Sequence, residues 1–439
     1  MFEANLKIIE ELKSFIEIVK NNPTLIEQIA TTPNAFTRER KLTLDRLVLL
    51  IVRLCKKTLS VELEKFFEEL DLEMPCSVSA FSQQRMKLAP EFFSIWNKVL
   101  TVCFYHYYGT DVKRWNGYRL IACDGSKISL VNTPLLQNYF GGQSNQWQSF
   151  VQANALYCYD VLNEVIVHAR IAPYRTSELS MAYARVDSFE KDMLVIYDRL
   201  YSNYKMVALH QWQETEIKFV IRALDSIRQI KDFIRNGKSS DIIYLKSTPE
   251  AQKGLKQKGY KIDKTTLVKV RLVRIELDNS IEVLMTNLWE EDGYDTADFK
   301  QLYFKRWGIE TNISLQKNIL QLESFSGQTP LSVQQDFYAT VFMANLFSLI
   351  TKQAQQEIDK TVFRKYPVKV NRNKSYAKLR TNLVSLFTSN HPEAILHKLY
   401  KYFIRDPLPI RKNRSFPRII KSKQSKSKFK TYLNFKPAF

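Results

Sequence analysis

Four residue types suited to phosphate chemistry recur between residues 303 and 317. Tyr303, Arg306, Glu310 and Lys317 follow one another at steps of 3, 4 and 7 residues, and a helix advancing about 100° per residue holds all four side chains within about 60° of arc. In such a set a carboxylate can hold a hard divalent cation, while a guanidinium, an ammonium and a phenol bind phosphate oxygens. The alternative is a solvated helix face on which Glu310 pairs with Arg306.

An apolar stripe runs beside these four polar residues. Leu302, Ile309, Ile313 and Leu320 recur at helical spacing on the neighbouring arc, which is typical of a helix that packs on a core along one side. We therefore predict a half-buried helix over residues 303–317 whose polar face opens into a cleft.

Two more carboxylates follow apolar runs that are typical of strands. Asp124 ends a run that begins at Tyr118 and precedes a predicted Gly-Ser turn, and Asp198 ends a run that begins at Met193. Because side chains at neighbouring strand ends converge on one cleft, we expect the two aspartates to meet the helix. The alternative is that each is only a turn or cap residue. Two strands and a helix are predicted between the aspartates, at Phe150–Tyr159, Val165–Ile171 and Glu178–Phe189.

The spacing Tyr-x2-Arg-x3-Glu-x6-Lys resembles the Y-R-E-K signature of the insertion-sequence-four family of DDE transposases. The residues RWGIE within it are similar to the sequence that this family usually has there. Asp124-Gly-Ser resembles the first catalytic position of the family. Asp198-Arg199-Leu200-Tyr201 resembles the second, with Leu200 where the family commonly has glycine. The resemblance covers roughly residues 60 to 345, with the three catalytic blocks as its specific part.

This resemblance implies an α/β fold with an RNase H-like catalytic core, in which helices flank a mixed sheet. Because 112 residues separate Asp198 from Glu310, more than such a core needs, we predict a β-rich insertion between them. The predicted segments are a helical DNA-binding region at 1–112, the first part of the core at 113–224, the insertion at 225–288, the second part of the core with the catalytic helix at 289–355, and a helical region with a basic tail at 356–439.

The resemblance also implies a site in which Asp124, Asp198 and Glu310 bind two Mg²⁺ or Mn²⁺ ions. The residues implied to contact DNA are Tyr303, Arg306, Lys317, Arg199, Trp289 and Arg85. For Trp289, stacking on a displaced base competes with an ordinary core position. Arg85 belongs to a predicted helix that Ser77 or Ser79 caps, and recognition of DNA competes there with packing.

The composition favours a nucleic-acid partner. Lys plus Arg is 65 against 45 Asp plus Glu, giving a net charge of +20, and a positive field attracts polyanions. Residues 405–436 are strongly basic and predicted to contact phosphates, although a solubilising role is the alternative. The sequence has no G-x4-G-K-[ST] or G-x-G-x-x-G motif, and its five cysteines form no C-x-x-C pair, which excludes common ATP, dinucleotide and zinc-finger sites. No apolar run reaches the roughly 18 residues of a membrane span, so we expect a cytoplasmic, nucleoid-associated protein.

The leading hypothesis is a transposase that moves an insertion sequence by cut-and-paste chemistry on double-stranded DNA, as a homodimer in the synaptic complex. One alternative is a nuclease of the same fold without strand transfer. The other is a sequence-specific DNA-binding protein derived from a transposase.

Overall fold

Among the described residues between 1 and 108 the regular elements are helices, and the predicted helical N-terminal region is confirmed. The computed structural model describes residues 1–38, 40–53, 56–72, 76–144, 149–278, 280–360 and 365–411. Most of the predicted basic tail lies outside these residues. In chain order the helices are α1 Phe2–Lys20, α2 Pro23–Ile29, α3 Leu44–Val52, α4 Leu59–Glu69, α5 Val78–Arg85, α6 Glu91–Tyr108, α7 Pro134–Phe140, α8 Glu178–Arg185, α9 Tyr204–Gln211, α10 Arg228–Asn236, α11 Pro249–Lys256, α12 Asp298–Phe304, α13 Trp307–Asn318, α14 Pro330–Lys360, α15 Arg372–Thr388 and α16 Pro392–Arg405.

Strands dominate the middle of the chain. They are β1 Arg119–Ser129, β2 Gly142–Ser144, β3 Ser149–Asp160, β4 Val165–Pro173, β5 Met193–Tyr197, β6 Lys218–Arg222, β7 Ser240–Lys246, β8 Leu267–Leu277, β9 Ser280–Thr286, β10 Val368–Lys369 and β11 Leu408–Pro409. The predicted strands on either side of residue 162 are confirmed as β3 and β4. The helix predicted at Glu178–Phe189 is confirmed as α8, with a short 3-10 helix after it.

The chain divides into two compact units, each built from separated segments. The helical unit comprises Met1–Asp111, Ile128–Ala153 and Ser314–Phe439, and the sheet unit comprises Val112–Lys127 and Asn154–Ile313. The five segments predicted from the sequence remain a prediction.

The helical unit packs around α14. Residues 337–350 of this helix are almost entirely buried, and the rings of Trp96 and Phe342 stack with their centres 3.9 Å apart. Full burial of two large aromatic rings stabilises such a core by several kcal/mol. A search of the described residues finds no helix long and apolar enough to cross a membrane.

The sheet unit contains a mixed sheet in which β1, β5 and β6 are parallel neighbours. The sheet continues through β9, β8 and β7, which pair in antiparallel fashion, and β3 borders β1 on the other side. Thus the strands of the predicted β-rich segment 225–288 extend this sheet, and helices α10 and α11 accompany them. The predicted mixed sheet flanked by helices is confirmed.

Alternating residues of the strands serve two apolar cores, as the period of two in a strand requires. Ile121 and Val195 belong to the core that α8 to α11 cover. Leu120 and Leu194, their neighbours in sequence, belong to the core that contains Phe299 and other residues of α12. This alternation determines which face of the sheet each functional side chain occupies.

Candidate active site

The two predicted aspartates lie side by side because of the register between β1 and β5. These strands run parallel with Cys123 opposite Tyr197, so Asp124 and Asp198 are the next residues on neighbouring strands. Parallel neighbours are about 4.8 Å apart, and residues opposite one another point to the same face. The predicted meeting of the two aspartates at one edge of the sheet is therefore consistent with the backbone register.

The Gly-Ser turn predicted after Asp124 is wrong. Strand β1 continues through Gly125 to Ser129, whereas β5 ends at Tyr197. The reason is that β3 borders β1 on its other side, so backbone pairing continues after β5 has ended. Asp124 thus lies where parallel pairing stops, within a longer strand.

The same alternation directs both aspartates toward α12. Asp124 occupies the phase of Leu120, and Asp198 that of Leu194 and Ile196, all of which pack with α12. Tyr303 of α12 belongs to that core and is 7% exposed. Burial raises the pKa of the Tyr303 phenol, and the nearby charges of Arg306 and Asp198 act on that pKa in opposite directions.

The single helix predicted across residues 303–317 is wrong, because α12 ends at Phe304 and α13 begins at Trp307. Backbone hydrogen bonds between them follow an i to i−3 pattern, with the Arg306 N–H donating to the Tyr303 carbonyl at 3.0 Å. Such a 3-10 turn tightens the helix. At Gly308 a Cβ atom would lie 3.4 Å from Val161, so close packing there favours glycine. The predicted apolar stripe is largely buried.

Arg306 lies at this break and bridges two of the predicted catalytic residues. Its Nη2 donates to Glu310 Oε1 at 2.9 Å, and its Nη1 lies 3.9 Å from Asp124 Oδ2. The residue is only 5% exposed, yet its Nε and Nη1 are buried without a hydrogen-bond partner. The Arg306 guanidinium thus departs from the general rule that buried donors have hydrogen-bond partners.

Electrostatics distinguish Asp124 from an ordinary carboxylate. Burial and the nearby charge of Glu178 raise the pKa of Asp124, Arg306 opposes the rise, and the net result is a pKa of about 7. A perturbed carboxyl group in a cleft is a frequent property of active sites.

The metal-binding arrangement is incomplete in this conformation. Within the described ranges, no three His, Cys, Asp or Glu side chains lie close enough together to hold a metal ion. Arg306 instead bridges Glu310 and Asp124. The carboxylate donors suit a hard divalent cation by their chemistry.

Lys317, the last predicted member of the phosphate-binding set, lies in the final turn of α13. Its ammonium is 3.5 Å from Glu323 Oε1, and its side chain is about one-quarter exposed. Both residues belong to the helical unit. The role of Lys317 in binding phosphate therefore remains a prediction.

Arg85 must be withdrawn as a DNA contact. It is the last residue of α5, a helix that Ser77 caps by accepting from the Ala80 N–H, but it is 3% exposed. Its guanidinium donates to Asp336 at 3.0 Å and to Gln335 at 2.9 Å. The packing alternative is correct for this arginine, because a buried ion pair with further hydrogen bonds leaves no surface for a phosphate.

The remaining predicted contacts differ in their surroundings. Arg199 is exposed on the turn after Asp198, as a phosphate-binding side chain should be. Trp289 is partly buried, and the Lys269 ammonium lies 4.3 Å from the centre of its ring, so it is neither a core residue nor a free platform. Arg271, which the sequence places among the basic residues of segment 225–288, is 1% exposed and donates to backbone carbonyls.

Sequence patterns do not identify one further carboxylate near Asp124, that of Glu178. It is the first residue of α8, and its carboxylate accepts a hydrogen bond from the Tyr201 hydroxyl at 2.5 Å. The only local signal is a Ser-Glu pair at a helix start, where Ser177 accepts from the Ser180 N–H. That pattern is common to helix termini in general.

Comparison with known proteins gives consistent matches. Residues 115–346 match the transposase DDE domain family, a range that includes Asp124, Asp198 and Glu310. The chain is 22% identical over 421 residues to the transposase InsG for insertion sequence element IS4 of Escherichia coli (strain K12), covering 92% of this chain and 90% of the relative. It is 24% identical over 101 residues to the putative transposase InsZ of the same organism, covering 22% of this chain and 34% of the relative.

One solved structure is similar over most of the chain. It is the cryo-electron microscopy structure of a piggyBac transposase synaptic complex with hairpin DNA, with a TM-score of 0.41 and 12% sequence identity. The match covers 95% of this chain and 87% of that chain.

Proposed function

We propose that Asp124, Asp198 and Glu310 are the catalytic carboxylates of this chain, which belongs to the transposase DDE domain family, in its insertion-sequence-four group, and is a DNA transposase. One observation supports this proposal most directly. Asp124, which follows the last paired residues of β1 and β5 as Asp198 does, lies 3.9 Å from a buried arginine that donates to Glu310 and has two nitrogens without a hydrogen-bond partner.

The reaction is the cleavage of DNA phosphodiesters at the ends of the element, followed by joining of the released 3′ ends to target DNA. Asp124, Asp198 and Glu310 would hold two Mg²⁺ or Mn²⁺ ions. Such ions increase the acidity of the attacking hydroxyl and stabilise the leaving oxygen. Arg306 must release Glu310 or share it when the cations bind.

Arg306 supplies the phosphate contact. Its free Nε–H and Nη1–H are donors that a non-bridging phosphate oxygen can accept from, and a buried guanidinium binds such oxygens more strongly than an exposed one. Tyr303 packs beside Arg306 and limits its movement. Arg199, Trp289 and Lys317 lie further along the DNA.

The partners are double-stranded DNA ends, target DNA and a second copy of the chain. A net charge of +20 supports binding along the phosphate backbone, which does not depend on sequence. Segment 1–112 binds the element's ends, and the reaction takes place in the cytoplasm, at the nucleoid. The basic tail adds phosphate contacts.

The test is cleavage of DNA that carries the element's ends, with purified full-length protein and Mg²⁺. Asp198→Ala should reduce cleavage at least about 10³-fold, as expected for loss of a transition-state ligand, while DNA binding in a mobility-shift assay changes less than about twofold. Asp232→Ala, an exposed aspartate of α10, is the matched control and should cleave normally.

Equal loss of cleavage and DNA binding in Asp198→Ala would contradict the catalytic assignment. Supplying ends that are already cut separates strand transfer from cleavage, because a nuclease without transfer activity would give no joined product.

A further inference from the structure

Glu178 lies beside Gly125, the residue that follows Asp124 in β1. Helix α8 packs with the core that contains Ile121 and Cys123, whereas Asp124 points toward α12. Glu178 is the first residue of α8, where the positive end of the helix dipole favours a carboxylate. It is a partly buried carboxylate for which the proposed chemistry has no role.

The first contact of Glu178 is with the residue next to Asp124. A Cβ atom added to Gly125 would lie 2.1 Å from Glu178 Oε2. This distance is too short for two non-bonded atoms, so the Glu178 side chain or the backbone would have to move. The carboxylate therefore occupies the space that any other side chain at position 125 would fill. This contact explains a glycine at that point of β1, because its backbone does not have a positive φ.

The second contact is with the turn that follows Asp198. The Tyr201 hydroxyl donates to Glu178 Oε1 at 2.5 Å, and the tyrosine itself is completely buried. Tyr201 ends the 3-10 helix Arg199–Tyr201. The Asp198 carboxylate caps the start of this helix by accepting a hydrogen bond from the Leu200 N–H at 3.2 Å. A buried hydroxyl bonded to a charged acceptor is a strong, directional contact.

These contacts connect the two aspartates through one side chain. We infer that Glu178 is a positioning residue: its carboxylate, held between Gly125 and Tyr201, fixes the spacing of Asp124 and Asp198. This inference rests on the proposed function, since it assigns a role relative to the proposed metal ligands. Groups that orient metal ligands commonly affect metal affinity or activity by about 10- to 100-fold.

The test compares Mn²⁺ binding, measured by loss of the free-ion electron paramagnetic resonance signal, with DNA cleavage. Glu178→Ala should weaken Mn²⁺ binding and cleavage about 10-fold or more. Glu178→Gln retains the size of the side chain and an acceptor for Tyr201, so it should lose less than about threefold. Tyr201→Phe should resemble Glu178→Ala, and the double variant should be no worse than either single one, because the two residues act as one contact.

A rescue experiment separates positioning from general folding. Gly125→Ala alone should impair Mn²⁺ binding, since its methyl group meets the Glu178 carboxylate. Gly125→Ala combined with Glu178→Ala removes that collision and should recover binding to the level of Glu178→Ala. Glu91→Ala is the matched control, because Glu91 is also the first residue of a helix but is exposed.

Wild-type Mn²⁺ affinity in both Glu178→Ala and Tyr201→Phe would overturn the inference, as would a failure of the double variant to improve on Gly125→Ala. Asp124→Ala is measured in the same assays. If it still binds Mn²⁺ and cleaves, the proposed catalytic site is wrong. If it loses both activities while Glu178→Ala retains them, the inference about Glu178 fails alone.

Discussion

Two buried arginines show how differently the same side chain is used in the two units. Arg85 in the helical unit and Arg306 in the sheet unit are 3% and 5% exposed. Each nitrogen of the Arg85 guanidinium donates to a partner, whereas Nε and Nη1 of Arg306 have none. The two arginines are therefore buried to the same degree, and what differs between them is the number of guanidinium nitrogens that have a hydrogen-bond partner.

The carboxylates beside the two arginines, Asp336 and Asp124, differ in the direction of their pKa shifts. Burial pushes the pKa of Asp336 upward, but Arg85, Lys56 and hydrogen bonds from Ser326 outweigh burial and hold that pKa below its ordinary value. At Asp124 burial prevails over Arg306 and the pKa rises to about 7. The guanidinium of the first pair is thus fully hydrogen-bonded, whereas that of the second has two nitrogens without a hydrogen-bond partner.

The largest effect on stability is expected from Arg85→Ala. Removing one partner of a buried ion pair leaves Asp336 charged and uncompensated, which costs about 3–5 kcal/mol. Urea unfolding followed by circular dichroism measures this loss. Arg85→Ala with Asp336→Asn should recover part of it, and Arg228→Ala, at a highly exposed arginine, should change nothing. A loss below about 1 kcal/mol would mean that the Arg85 cluster is not structural.

The next largest effect concerns catalysis at Arg306. Arg306→Ala should reduce DNA cleavage about 10²–10³-fold, equivalent to about 2.7–4 kcal/mol, because a preorganised donor to the transition state is lost. Its unfolding free energy should change by less than about 1 kcal/mol, since two buried donors without partners disappear with it. Arg306→Lys keeps the charge but not the paired donors, so it should fall between wild type and Arg306→Ala.

If Arg306→Ala loses as much unfolding free energy as Arg85→Ala, Arg306 is a structural arginine like Arg85. If the loss of cleavage in Arg306→Ala appears in the rate at saturating DNA rather than in DNA affinity, Arg306 acts in the cleavage step.

The smallest effect is the pH dependence of stability in metal-free buffer. Because the folded-state pKa of Asp124 lies above its ordinary value, its contribution to stability is fully present below about pH 4 and is lost as pH rises through about 7. Asp124→Asn removes this loss and should be more stable than wild type at pH 8, on the order of 2 kcal/mol, with little difference at pH 4. Urea unfolding midpoints of both proteins in EDTA measure this difference in stability. An equal difference at pH 4 and pH 8 would show that ionisation of Asp124 is not its cause.

Local sequence patterns predicted much of the site because its main parts are local. An apolar run followed by aspartate is sufficient to place Asp198 after β5, and the spacing of Arg306 and Glu310 brings them into contact. Strands β8 and β9 lie within the segment 225–288 that is predicted to be β-rich. In each case the relevant neighbours are near in sequence or share a strand register.

The features that the sequence could not predict depend on distant partners. Arg85 meets Asp336, which is 251 residues away, so nothing near α5 identifies it as buried. No proline marks the break between α12 and α13, where close packing of Gly308 against Val161 accompanies the change of helix geometry. Glu178 acts through Gly125 and Tyr201, and only the folded sheet brings these three together.

The pairing of β1 with β5 also constrains how this chain can vary. The pair of aspartates exists because Cys123 stands opposite Tyr197, and a shift of one residue would turn one carboxylate to the other side of the sheet. Apolar residues in these strands can be exchanged for others of similar size, but a single insertion or deletion ahead of either aspartate would separate the pair. The number of residues that precede each aspartate in its strand is thus constrained more strictly than the identity of those residues.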